Sequence, residues 1–378
     1  MIRKISTLLV AAALMVGCCS EQNKTTLSGL NPADFETTIG DQTTQLYTLK
    51  NANGMEVCIT PFGGRIVSVM VPDRTGEMRD VVLGFDKISD YQTIPTDFGA
   101  SIGRYANRIG QGKFTLDGVE YQLPQNNFGH CLHGGPNGWQ YSLYSVKEAT
   151  ENKVVLTLSS PDGEEQFPGN VEAQVTYTLT ADNAIAIDYE ASTDAPTVIN
   201  MTNHSYFNLT GDPTQQILDH ELMINADAFT PVDDTYMTTG EIAPVAGTPM
   251  DFTTAKVVGK EIDNFDYIQL KNGNGYDHNW VLNTAGNKEE AAVVLYAPTT
   301  GIELTVYTTE PGIQVYTGNF LDGTVTGKKG IVYNQRVGIC LETQKYPDTP
   351  NKPEWPSAVL RPGEKYTSLC TFKFGVRE

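Results

Sequence analysis

The run Val171–Glu190 reads Val-Glu-Ala-Gln-Val-Thr-Tyr-Thr-Leu-Thr-Ala-Asp-Asn-Ala-Ile-Ala-Ile-Asp-Tyr-Glu. Val171, Ala173, Val175, Tyr177 and Leu179 alternate with Glu172, Gln174, Thr176 and Thr178. A period of two places one set toward a core and the other toward water, the pattern of a half-buried strand. Ala181-Asp182-Asn183 turns the chain, and Ile185, Ile187 and Tyr189 resume the alternation, so the stretch is expected to be a hairpin. The same grammar recurs on both sides. Phe114–Leu116 and Val119–Tyr121 flank Asp117-Gly118, a pair suited to the positive φ of a type I′ turn. Val154–Leu158, Ala292–Tyr296, Ile302–Thr308, Ile313–Tyr316, Val337–Leu341 and Tyr366–Phe374 read as further strands. Helical periodicity is sparse, with a turn or two expected at Ile88–Gln92. Short strands punctuated by 35 glycines and 20 prolines predict an all-β chain folded as a large antiparallel β-sandwich. No shift of composition follows residue 40, so residues 41–378 are read as one domain.

The amino-terminal end obeys different rules. Arg3 and Lys4 precede the apolar run Leu8–Val16, whose 9 residues are too few to cross a bilayer. The run closes on Met15-Val16-Gly17-Cys18, which resembles a bacterial lipobox. Residues 1–17 are therefore expected to be a lipoprotein signal peptide, with Cys18 lipidated, residues 18–40 a solvated tether, and the protein exported and held at the cell envelope by its lipid. Met15 in place of the usual leucine, and the neighbouring Cys19, leave the cleavage point open. A net charge of −19 repels polyphosphates and argues against nucleic-acid partners. The remaining cysteines, Cys58, Cys131, Cys340 and Cys370, show no CxxC spacing, which disfavours a thiolate metal site and predicts no disulfide.

Chemistry concentrates in a few segments. In Met201–Leu209, His204 sits among Asn203, Ser205, Tyr206 and Asn208 after the apolar run Thr197–Ile199, an imidazole at a strand end. Gly103–Gly110 carries Arg104 and Arg108, whose guanidinium forks suit hydroxyl and carboxylate oxygens. Asn126–Trp139 is glycine-rich and holds His130 and His133, and Gly134-Gly135 would let backbone approach a ligand. The His-x-x-His spacing lacks a carboxylate to complete a metal site, and no metal is expected. In Gly275–Trp280, Asp277 lies between aromatic residues of the kind that pack against sugar rings. On the strand expected at Val337–Leu341, alternation puts Glu342 on the face of Gly338 and Cys340, at the strand's end, before a proline-rich loop. Gln314 and Tyr316 likewise share a face.

Six stretches in order, Gly103–Ile109, Leu132–Gly135, Thr202–Leu209, Tyr276–Asn279, Pro311–Phe320 and Leu341–Pro353, resemble the aldose 1-epimerase (galactose mutarotase) family across residues 41–378. The resemblance implies that family's large β-sandwich with an open concave sheet, and no cofactor. It implies His204 as general acid and Glu342 as general base, with Asn107, Arg108, His133, Tyr206, Asp277 and Gln314 lining a site for free aldose sugars. Arg104 matches the motif with less claim to a direct contact. The expected reaction interconverts α and β anomers of hexoses such as D-glucose and D-galactose in a monomeric enzyme. A non-catalytic carbohydrate-binding lipoprotein, a glycoside hydrolase using Asp277 and Glu342, and a sugar-phosphate epimerase are the competing readings.

Overall fold

The computed structural model describes residues 25–377; the expected signal peptide and Cys18 lie outside them. Val171–Leu179 pairs antiparallel with Ala184–Thr193 from Val171↔Thr193 to Leu179↔Ile185, and every alternate residue from Val171 to Leu179 is buried. Asn183 supplies the positive φ of the turn, and Asp117 and Gly118 do the same for the smaller hairpin.

The long hairpin sits inside a nine-stranded antiparallel sheet. Its order is Ser145–Ala149, Lys153–Ser160, Val171–Leu179, Ala184–Thr193, Tyr366–Val376, Ile302–Thr308, Val293–Tyr296, Glu221–Ile224, Lys256–Val257. A six-stranded antiparallel sheet runs Tyr206–Phe207, Ile339–Gln344, Gly312–Tyr316, Asp277–Val281, Ala228–Thr230, Ala243–Pro244. Side chains from both sheets share one core, in which Phe207 meets Phe372 edge-on at 4.9 Å and Trp280, Ile313 and Val315 join Val175, Ile187 and Val306. A four-stranded sheet, Tyr47–Lys50, Glu56–Thr60, Arg65–Pro72 and Met78–Asp80, adds Val57, Ile59 and Val69 to that core. This is the antiparallel sandwich that the alternating runs predict.

Three boundaries differ from expectation. The strand expected at Val337–Leu341 runs Ile339–Gln344, because pairing starts only where Tyr206–Phe207 and Gly312–Tyr316 lie alongside. Glu342 is thus inside the strand rather than at its end. A helix at Ile268–Gly273, closed by Asn274 at positive φ, joins the one expected at Ile88–Gln92, which runs Ile88–Thr93. The tether also ends early. Leu30 and Phe35 are buried, Phe35 6.5 Å from the Tyr91 ring, and Leu27 N–H donates to the Glu56 carboxylate at 2.7 Å. Two apolar side chains in a polar stretch are enough to seat residues 27–39 on the domain. Cys58, Cys131, Cys340 and Cys370 are unpaired and buried.

Candidate active site

Three strands of the six-stranded sheet build the floor by register. Gln314 pairs with both Glu342 and Asn279, and Tyr316 pairs with both Cys340 and Asp277. Directly paired residues present side chains on one face, so Glu342, Gln314 and Asn279 form one row and Cys340, Tyr316 and Asp277 the next. Tyr206 extends the second row through its pairing with Cys340. The alternate residues, Tyr276, His278 and Trp280, face the core and are fully buried. The aromatic neighbours of Asp277 in sequence are therefore core residues. The rings at the cavity are Tyr206, Tyr316, Phe128 and Phe320.

His204 arrives from the strand Thr202–His204, which pairs with Ala100–Ile102. Its Nε2 lies 3.5 Å from Glu342 Oε1, and its Nδ1 lies 3.5 Å from Cys340 Sγ. Both members of the pair are buried. Burial pushes the Glu342 carboxyl well above the usual carboxylate range, reinforced by the charges of Asp277 and Asp97 and opposed by Arg108. Burial lowers the His204 imidazole, with Asp97 opposing. The two shifts have one cause: water is excluded from both groups, which favours the neutral form of each.

His133 stands beside His204 with ring centroids 5.1 Å apart. Its Nδ1 accepts the Asn107 backbone N–H at 3.2 Å, while the His133 backbone N–H donates to the Asn107 carbonyl. An Nδ1 that accepts carries no proton, so neutral His133 holds its hydrogen on Nε2 and is a donor toward the cavity. Burial, with His204 and Arg108 nearby, keeps it neutral. Asp97, His133 and His204 place one oxygen and two ring nitrogens within 4.8 Å of one another. The tautomer of His133 makes that trio a hydrogen-bonding set and denies a cation one of its nitrogens.

Arg108 forks onto Asn127 Oδ1 at 3.2 and 2.8 Å and lies over the Tyr236 ring at 5.3 Å. Asp277 accepts from Gln314 Nε2 at 2.7 Å, and its carboxyl is raised by burial against the opposing pull of Arg108. The open cavity encloses about 420 Å³. Asn107, Arg108, His133, His204, Tyr206, Asp277 and Glu342 all line it, whereas Gln314, expected there too, is not among the lining residues and reaches the site through its bond to Asp277. Glu342 Oε2 and Gln314 Oε1 are buried without a partner, two acceptors awaiting a donor.

Other segments have structural jobs. Arg104 is buried and donates to the carbonyls of Pro161, Pro168 and Gly169. His130 accepts from Gln111 N–H and pairs with Thr235 Oγ1. Gly134 opens space for protein backbone rather than for a ligand: a Cβ there would stand 2.2 Å from the Gly103 carbonyl oxygen. Asp97, Asn127, Phe128 and Phe320 line the cavity without having been singled out from the sequence.

A family model described as aldose 1-epimerase matches residues 45–373. The chain belongs to the aldose 1-epimerase family. It is 45% identical over 322 residues to a galactose mutarotase of Sus scrofa, a match covering 85% of this chain and 92% of that protein. It is 39% identical over 333 residues to an aldose 1-epimerase of Escherichia coli K12, covering 87% and 95%. A solved aldose epimerase homologue from C. elegans superposes with a TM-score of 0.80 at 31% identity, covering 89% of this chain and 100% of that one. The six-stranded sheet carrying Glu342, Gln314 and Asp277 is thus part of an epimerase fold.

Proposed function

We propose that this chain is an isomerase that interconverts the α and β anomers of free aldohexoses such as D-glucose and D-galactose, with His204 as general acid and Glu342 as general base. The observation that carries the assignment of roles is the imidazole and carboxylate 3.5 Å apart on the wall of a cavity in an aldose 1-epimerase fold. Opening a cyclic hemiacetal needs two proton movements. Glu342 takes the proton of the anomeric hydroxyl, and that O–H electron pair becomes the second bond of the carbonyl. The bond from the anomeric carbon to the ring oxygen breaks, and the ring oxygen takes the proton of His204. The carbonyl end turns, the ring oxygen attacks its other face, and both protons return along the same paths. Every proton has a donor and an acceptor among these residues, so the balance closes without a redox group. His133, donating through Nε2, and Arg108 are placed to stabilise oxygen charge as the ring opens. Asn107, Tyr206, Asp277 and Gln314 are assigned to sugar binding.

The lipobox-like segment ending at Cys18 extends the proposal to an exported, lipid-anchored enzyme acting on anomers outside the cytoplasm. A protein recovered wholly from the cytoplasm on fractionation overturns that part. The proposal includes a monomeric enzyme, and sedimentation decides it. The reaction itself is tested by polarimetry of freshly dissolved α-D-glucose and α-D-galactose. The protein speeds the approach to an unchanged final rotation, and His204→Asn removes most of that acceleration while the fold persists. A folded wild-type protein that accelerates neither sugar overturns the reading.

A further inference from the structure

Asp97 sits in a loop whose backbone is fixed on both sides. The guanidinium of Arg65, fully buried, donates to the carbonyls of Thr96 and Phe98 at 3.0 Å each and to that of Gln140 at 2.7 Å. Gly99, at φ 69°, seats the loop so closely on the strand Arg65–Pro72 that a Cβ would lie 1.9 Å from the Ile66 carbonyl oxygen. Gly99 N–H donates to the His204 carbonyl at 3.0 Å, joining the loop to the acid. A buried cation and a wedged glycine thus hold the Asp97 carboxylate in the cavity wall.

Its Oδ1 is shielded from solvent and has no hydrogen-bond partner, although a carboxylate oxygen in such a place ordinarily has one. A donor stands opposite, since His133 offers Nε2–H. An oxygen of Asp97 and a ring nitrogen of His133 lie within 4.8 Å. A hydroxyl oxygen placed ~2.8 Å from an acceptor and ~2.9 Å from a donor at a tetrahedral angle bridges a gap of ~4.6 Å. A gap at the upper end of that limit admits a hydroxyl that accepts from His133 and donates to Asp97.

We infer that Asp97 is a substrate-binding residue, and that one sugar hydroxyl bridges Asp97 and His133. This rests on the site acting on free aldoses, and it names a contact absent from the motifs that mark the family resemblance. The test compares kcat/KM for glucose and for the series of mono-deoxyglucoses in the wild-type protein and in Asp97→Ala. In the wild type one deoxy sugar is handled about tenfold worse than glucose, the worth of one hydrogen bond to a charged group. In Asp97→Ala glucose falls by about the same factor, and that one deoxy sugar loses its disadvantage. Asp97→Ser, short and uncharged, carries the same comparison where the alanine variant does not fold. A variant with wild-type kcat/KM for glucose overturns the inference. So does a slower variant that keeps the wild-type ratios among all the sugars, which is the mark of a structural role. A wild-type protein inactive on glucose fails the proposed function instead. Equilibrium binding of the deoxy series, read by sugar line-broadening in NMR, then decides the Asp97 contact by the same ratios.

Discussion

Glu342 is held where a carboxylate is uncomfortable, and that discomfort has two measurable consequences. Its folded-state pKa lies above its unfolded one, so the folded state holds the proton more tightly. The carboxyl's contribution to stability is most favourable below the unfolded pKa and is lost as pH rises through the folded pKa. Glu342→Gln therefore lowers kcat by ~10²–10⁴-fold while raising Tm, and raises it more in alkaline than in acidic buffer. A parallel set of polarimetric rates and thermal melts checks both arms. After burial, the charge of Asp277 contributes most to raising Glu342. Asp277→Asn is expected to move the acid limb of kcat/KM toward lower pH, because activity rises with pH as the base ionises; a pH–rate profile with an unmoved acid limb overturns the coupling. At this scale the sequence was partly legible. Histidine, glutamate, arginine and aspartate stood in recognisable stretches. Asp97 carried no such mark, because a single acid in the polar turn Thr96–Asp97 looks like any solvated loop residue until Arg65 is seen holding it.

The strands were legible where one face meets the core and the other does not. Val171–Leu179 shows its period plainly, and Asp117-Gly118 signals its own turn. The strand Ile339–Gln344 is buried on both faces, and its polar end Thr343-Gln344 hides its extent. The rows Glu342–Gln314–Asn279 and Cys340–Tyr316–Asp277 depend on pairings between distant strands, which local periodicity cannot supply. The loop carrying His133 is set by Gly134, at φ 80° and hard against the Gly103 carbonyl. Gly134→Ala strains that φ and forces the loop outward, at a cost of ~1–3 kcal/mol. It is expected to lower Tm and to slow anomer exchange by displacing His133. A Tm within a degree of wild type, measured by circular dichroism, overturns the packing role of that glycine.

Across the whole molecule, two sheets meet over one core, and the segment 27–39 closes a smaller cluster that also holds Tyr206 and Tyr316. The composition announced the sandwich but not that clasp, because Leu30 and Phe35 are too few to change the polar average of their stretch. Phe35→Ala leaves a cavity and should cost ~3–5 kcal/mol, seen as a lower urea midpoint at unchanged m-value. A wild-type midpoint would return the segment to the status of a tether.

The clasp also sets a leash length. With the folded body beginning at Leu27, an anchor on Cys18 of the proposed kind has nine peptide steps before the chain is held. At ~3.3–3.6 Å for each step the contour is at most ~32 Å. That is a few Debye lengths at physiological salt, enough at full extension to spare a body of charge −21 (the chain's −19 less the two positive charges of Arg3 and Lys4) most of the repulsion of an anionic lipid surface. With the proposed anchor, it would also confine the enzyme to a thin shell above the bilayer. For an enzyme anchored in that way, the working concentration would be a surface density.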